Sequence, residues 1–257
     1  GGTWSTDYNS FWCCQGTGVE VNTRLMDSIY FYNDTTLTVN LFVPSVLDWS
    51  QRGITVTQST TYPVSDTTTL TLSGSMSGSW SIRIRIPAWT SGATISVNGE
   101  AQSVATTPGS YATVTRTWAA GDTVTVRLPM RVIMQAANDN NNVQAVTYGP
   151  AVLCGNYGNS SLGSLPSLNT STITRTSTSA LAFTATANGT TVNLGPFHDA
   201  HGFNYTVYWN TGGGGTTYRL VNVGTGLVLG VQNMSTADGG LAVQWGDTGT
   251  ADHNWDM

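Results

Sequence analysis

The residues best equipped for chemistry stand near the start of the 257-residue sequence, in Ser10-Phe11-Trp12-Cys13-Cys14-Gln15-Gly16-Thr17-Gly18-Val19-Glu20. Adjacent thiols just ahead of a helix would sit where the macrodipole and free N–H groups favour thiolate, the form that attacks carbon and binds metal. Vicinal cysteines can both reach one zinc ion, but a tetrahedral site needs further ligands, and no Cys or His follows closely enough to supply them. Spacing alone leaves two other readings open: a pair of half-buried free thiols, or a vicinal disulfide. Three cysteines cannot all pair internally, so the chain is no disulfide scaffold. Cys154, within Ala151-Val152-Leu153-Cys154-Gly155, reads as a small core residue on a buried strand. His198 and His201 have the i, i+3 spacing of a metal pair, and are read as structural.

Positioning the thiols requires a helix behind them. Thr17 followed three residues on by Glu20 has the form of a capping box, and Val21, Leu25, Met26 and Ile29 recur at helical spacing, which predicts one short helix over about 18–28. From Leu37 the period becomes two. Leu37–Leu41, Trp80–Ile86 and Asp122–Leu128 alternate as strands with one dry and one wet face, and Arg83, Arg85 and Arg127 fall on the wet one. Asn98-Gly99 and Asn188-Gly189 are type I′ hairpin signals, because both central residues of that turn need positive φ. The expectation is a mainly β protein: residues 1–30 with the helix, an antiparallel β-sandwich region over 31–209, a glycine-rich linker over 210–216, and a compact block of short strands over 217–257.

Only 9% of residues are charged, and all nine basic residues are arginine. Thr, Ser, Gly and Asn occupy the surface instead, a composition suited to a secreted, extracellular β-protein. With a net charge of −5 and no basic run, nucleic acid is not an expected partner, and no apolar stretch has the length of a membrane helix. Asn33, Asn159, Asn169, Asn188, Asn204 and Asn233 head Asn-X-Ser/Thr sequons, candidate glycosylation sites in a eukaryotic secretory pathway.

The double-cysteine segment, Asp27-Ser28-Ile29-Tyr30-Phe31, Val39-Asn40-Leu41-Phe42-Val43-Pro44-Ser45, Arg85-Ile86-Pro87-Ala88-Trp89, Val97-Asn98-Gly99-Glu100, Gly121-Asp122-Thr123-Val124, Leu128-Pro129-Met130, Tyr148-Gly149-Pro150 and Tyr205-Thr206-Val207-Tyr208-Trp209 resemble the carboxy-terminal half of glycoside hydrolase family 127, the β-L-arabinofuranosidase type. That resemblance implies an active site in an α/α barrel followed by β-sandwich domains. It implies that Cys13 is the thiolate nucleophile and a zinc ligand, that Cys14 is a second zinc ligand, and that hydrolysis retains configuration through a thioglycosyl intermediate. The acid/base glutamate and the remaining zinc ligands of the family belong to barrel segments upstream. This chain has only Glu20 and Glu100, assigned to the helix cap and to a hairpin. The expectation is therefore a carboxy-terminal portion, inactive alone, whose partners are carbohydrate and the missing barrel.

Tyr218–Asn222, Gly226–Val231, Gly240–Trp245 and His253-Asn254-Trp255 resemble one repeat of the ricin-type β-trefoil lectins, a fold that closes with three repeats. The resemblance implies a carbohydrate site at Trp245, the aromatic platform, with Asp252 and His253 as its polar pair. Gly230 stands where those lectins carry an acid, and Trp255 is expected in the core. A single repeat leaves an apolar face to be covered by further repeats or a neighbour. A stand-alone lectin-like module is the alternative reading of the whole chain.

Overall fold

The computed structural model describes residues 13–212, 219–253 and 255. The first element is helix α1 (Cys13–Arg24), followed by a 3-10 turn over Leu25–Ser28. This corrects the expected helix at two points. Its first turn contains the cysteines, so they do not precede it, and Thr17 lies in its interior. The Thr17 hydroxyl donates back to the Cys13 carbonyl at 3.2 Å, the i−4 bond open to a mid-helix threonine, so Thr17 and Glu20 form no capping box. Of the apolar residues at helical spacing, Val21 and Met26 are exposed and Ile29 is buried.

Ten strands then build a sandwich: β1 (Tyr30–Asn33), β2 (Thr36–Val39), β3 (Ser45–Trp49), β4 (Ile54–Thr60), β5 (Thr67–Gly74), β6 (Ser79–Ile86), β7 (Thr94–Val97), β8 (Glu100–Ala101), β9 (Ser110–Thr117) and β10 (Thr123–Arg127). One sheet has the order β1-β2-β6-β9 and the other β3-β4-β5-β10-β7-β8. Pairing is antiparallel except between β2 and β6, which run parallel. The period-two pattern puts Trp80, Ile82, Ile84 and Ile86 of β6 into one continuous core with Ile54, Val56, Leu70, Leu72, Val124 and Val126 of the facing sheet, while Arg83, Arg85 and Arg127 stay in solvent. At the Asn98-Gly99 turn φ is 52° and 84°, as a type I′ hairpin demands.

The second half has a core of its own. Strands β11 (Val132–Ala137), β12 (Asn140–Tyr148), β13 (Ala151–Asn156), β14 (Leu168–Arg175), β15 (Phe183–Ala187), β16 (Thr190–Pro196), β17 (Tyr205–Thr206) and β18 (Tyr208–Asn210) form one sheet ordered β11-β12-β13-β16-β15-β14, with β17 on β13 and β18 on β12. A bridge between Ser167 and Asn210 brings the β14 edge to β18, so the sheet curls almost into a barrel around Leu153, Phe183, Leu194 and Trp209. The region 31–209 is thus a sandwich followed by a nearly closed sheet. Asn210 belongs to β18, paired with Val143, and Thr211 N–H donates to Asn142 O at 2.9 Å, so ordered structure runs into the first residues assigned to the linker. Residues 213–216 of that linker lie outside the described residues.

The terminal block pairs β19 (Val228–Val231) with β20 (Ala242–Trp245), and Val221 adds an isolated bridge to Val228. Tyr218 and Asn254 lie outside the described residues. Trp255 is half-buried, and its indole N–H donates to Leu229 O at 2.9 Å. Among the described residues no helix is long and apolar enough to cross a membrane.

Asp122 fastens the start of β10. Its carboxylate accepts from Ala119 N–H and from the Asn98 amide, each at 2.8 Å, and these two donors, the Ala119 amide first, hold its pKa below the ordinary carboxylate value. Asp122→Ala strands both donors and is expected to cost about 1–3 kcal/mol in urea unfolding at pH 7. A carboxyl with a depressed native pKa contributes fully above its unfolded pKa of about 3.9, and loses that contribution as pH falls through the native value. The gap between wild type and variant should therefore shrink below about pH 4; a gap that stays constant down to pH 2.5 contradicts the assignment.

Candidate functional site

Both cysteines of α1 are exposed free thiols, with their Sγ atoms 3.8 Å apart. A disulfide requires about 2.05 Å. Two thiolates bound to one zinc at about 2.3 Å, in tetrahedral arrangement, stand about 3.8 Å from each other. The pair therefore has the separation of the two-sulfur half of a zinc site. Among the described residues no cluster of three or more His, Cys, Asp or Glu is close enough to hold a metal, so a metal at these thiols would need further ligands from outside them.

The base of the thiol helix is tied to the sandwich. Asn40 donates through its amide to Ser28 O at 3.0 Å and through its backbone N–H to Ile29 O at 2.9 Å, while its Oδ1 accepts from the Tyr111 hydroxyl at 2.7 Å. Thr17, Glu20, Val21, Arg24 and Ser28 then form, with Leu41, one side of a shallow groove. Val19, Val21 and Met26 are each exposed to solvent.

In the terminal block the structure places Trp245 and Asp252 in one pocket lining and leaves His253, though close to Asp252, outside that lining. Trp245, 61% exposed, lines a pocket of about 350 Å³ with Asp252, Val231, Met234 and Val243. His253 is fully buried beneath it, with Nδ1 3.5 Å from Asp247 and Nε2 3.5 Å from Asp252. Asp247 is held below the ordinary carboxylate pKa, first by the Gly249 amide and also by Arg219. A Cβ at Gly230 would stand 2.7 Å from His253 Cδ2 and 3.2 Å from an Asp252 oxygen. The imidazole thus fills the space that an acid at position 230 would need. The sequence marked His253 as a sugar contact and missed Asp247; the six-residue spacing between them carries no periodic signal.

Cys154 is buried on β13, and burial pushes its thiol pKa up. His198 and His201 are both exposed, and His198 Nε2 lies 3.6 Å from Asp199. Of the sequon asparagines, Asn33, Asn159, Asn169, Asn188 and Asn233 are exposed. Asn204 is half-buried, and its amide nitrogen is committed to Ser160 O at 3.0 Å.

Residues 36–130 match the family model described as the β-L-arabinofuranosidase, GH127 middle domain. Those bounds enclose the sandwich from β2 to β10. Residues 204–257 match the ricin-type β-trefoil lectin domain-like family, a span that also takes in β17 and β18, which belong to the curled sheet. A GH127 β-L-arabinofuranosidase from Geobacillus stearothermophilus T6 has the same fold, with TM-score 0.61 and 20% identity over 77% of this chain and 37% of its own. A second solved structure, a glycoside hydrolase, gives TM-score 0.62 and 24% identity over 79% of this chain and 40% of its own. A GH127 β-arabinofuranosidase gives 0.55 and 19% over 71% and 36%. The chain thus spans well under half the length of these solved proteins. No curated protein sequence matches. Residues 36–130 thus carry a GH127 middle domain, most of the chain shares its fold with part of solved GH127 arabinofuranosidases, and a lectin-like segment follows.

Restoring an acid at position 230 should damage the terminal block before it could help bind sugar. Gly230→Asp is expected to lower the protection of the β19–β20 amides in hydrogen exchange, and His253→Ala in the same chain to restore part of it by vacating the space. Unchanged exchange in Gly230→Asp would show that the imidazole does not fill that position.

Proposed function

We propose that the chain is the non-catalytic carboxy-terminal portion of a secreted, GH127-type arabinofuranosidase, carrying two thiolates of its zinc and cysteine site and a carbohydrate-binding repeat. The observation that carries this reading is the 3.8 Å separation of the Cys13 and Cys14 sulfurs on a helix tied to a sandwich that matches the GH127 middle domain. Cys13 and Cys14 would hold the metal, and a bound zinc would keep sulfur as thiolate at neutral pH. In this reading the Cys13 sulfur attacks the anomeric carbon and its bond to the leaving oxygen breaks, while a carboxylic acid from outside the described residues protonates that oxygen. Water then displaces the sulfur with its proton taken by the same carboxylate, so the sugar leaves with retained configuration and the thiolate returns. The exposure of both thiols suits a helix that packs against a further domain.

A second reading, a stand-alone lectin-like module, is favoured by the exposed Trp245 above Asp252. The two differ in what sulfur chemistry contributes. Under the first, the chain alone hydrolyses no aryl β-L-arabinofuranoside, whereas protein extended upstream along its reading frame does, and Cys13→Ala lowers that rate by at least about 10³-fold. Zinc should be retained by the extended protein and lost on Cys14→Ala. Hydrolysis by the chain alone, or by the extended protein indifferent to Cys13→Ala, overturns the first reading.

A further inference from the structure

One groove belongs neither to the thiol helix nor to the terminal block. It opens at the end of the curled sheet where β13, β16 and β17 meet, with a volume of about 740 Å³, and it includes Phe197, His198, His201, Tyr205 and Asn159 in its lining. Phe197 and Tyr205 are 45% and 41% exposed, with ring centroids 5.4 Å apart at 58°. Neither ring is needed by the core beneath, which Phe183 and Trp209 fill. Two apolar rings held side by side in water are a cost that something else should repay.

The loops that carry these groups are fastened to each other. Tyr157 N–H donates to Asn204 O at 2.8 Å, Asn204 N–H to Gly158 O at 2.6 Å, and the Asn204 side chain to Ser160 O. Ala200 N–H closes the turn on Phe197 O at 3.0 Å. At Gly158 and Gly202, with φ of 55° and 74°, a Cβ would meet nothing within 4 Å, so the rim is open. The groove is thus shaped before any ligand arrives, which removes part of the ordering cost of binding.

Among the described residues no Asp, Glu, Lys or Arg lines it. Asp199, beside His198, is exposed and outside the lining. A groove with two ring faces, imidazole and amide groups that both donate and accept, and no fixed charge suits a ligand with an apolar C–H face and neutral hydroxyls. Among the described residues it holds no arginine or lysine to pair with a phosphate or carboxylate, and no third His, Cys, Asp or Glu joins its two histidines to complete a metal site.

We propose that this groove is a second binding subsite for neutral glycan, with Phe197 and Tyr205 as its platform and His198, His201 and Asn159 as its hydrogen-bonding edge. The choice of sugar among neutral amphipathic ligands rests on the carbohydrate-active reading above; the location rests on the geometry.

Affinity electrophoresis of the full chain in gels containing linear arabinan, arabinoxylan or galactan tests it. Trp245→Ala, which disables the terminal pocket, should leave retardation by at least one of these polysaccharides. Adding Phe197→Ala and Tyr205→Ala should then weaken that retardation at least tenfold, whereas Tyr205→Phe, which keeps the ring, should retain it. Where the double alanine variant fails to fold, shifts of the Phe197 and Tyr205 ring resonances of the Trp245→Ala chain on adding arabino-oligosaccharide decide the matter. Retardation indifferent to both ring deletions overturns the proposal, as does its absence from the Trp245→Ala chain with all three polysaccharides, or rings that do not shift. Hydrolysis of an aryl arabinofuranoside by the upstream-extended protein tests the earlier reading separately, since it can fail while retardation of this chain persists.

Discussion

Three tryptophans bind the two sheets of the sandwich where the chain crosses between them. The ring of Trp80 on β6 meets Trp49 on β3 edge-on, with centroids 5.6 Å apart, and Trp118 on its other side at the same distance. The indole N–H of Trp118 donates to Trp80 O at 3.0 Å, so that close contact also satisfies a buried donor. Aromatic pairs of this kind add stabilisation beyond the area they remove from water. Asn40 follows β2 directly, and its bonds to Ser28 and Ile29 set where the thiol helix leaves the sandwich.

The curled sheet solves a different problem with fewer large residues. Its edges expose backbone groups, and the bridge of Ser167 with Asn210 brings the β14 side to β18, while among the described residues β11 pairs only with β12. Curling places Trp209 at the centre, where its ring would meet a Cβ on Gly155 at 2.3 Å, so β13 approaches closely only because that position is glycine. Arg175, on β14, donates to Tyr148 of β12 and to Val64 O of the sandwich, a polar contact between the two parts of the chain.

In the terminal block a single glycine decides the chemistry. With no side chain at 230, His253 packs under the sheet between two carboxylates, and Asp252 is left at the pocket with Trp245 above it. Lectin-like sequence and lectin-like site thus part company at one residue. Trp245 stays exposed at the pocket, while His253 is buried out of its lining between Asp247 and Asp252.

Much of the fold was legible because its cause is local. Alternation of apolar and polar residues identified the strands Thr36–Val39, Ser79–Ile86 and Thr123–Arg127, and Asn-Gly pairs identified the hairpins at 98 and 188, since strand period and positive φ are properties of a few neighbouring residues. The capping reading of Thr17 and Glu20 failed because a four-residue pattern cannot say whether helix already precedes it. The cysteines were visible as reactive neighbours, but their 3.8 Å spacing, the burial of His253 and the pairing of Phe197 with Tyr205 were not. By itself the sequence determined which segments are strands, which turns are tight and which residue types are reactive. Only the tertiary structure decided which of them share a pocket, because that depends on strands far apart in the chain packing their side chains into the same volume.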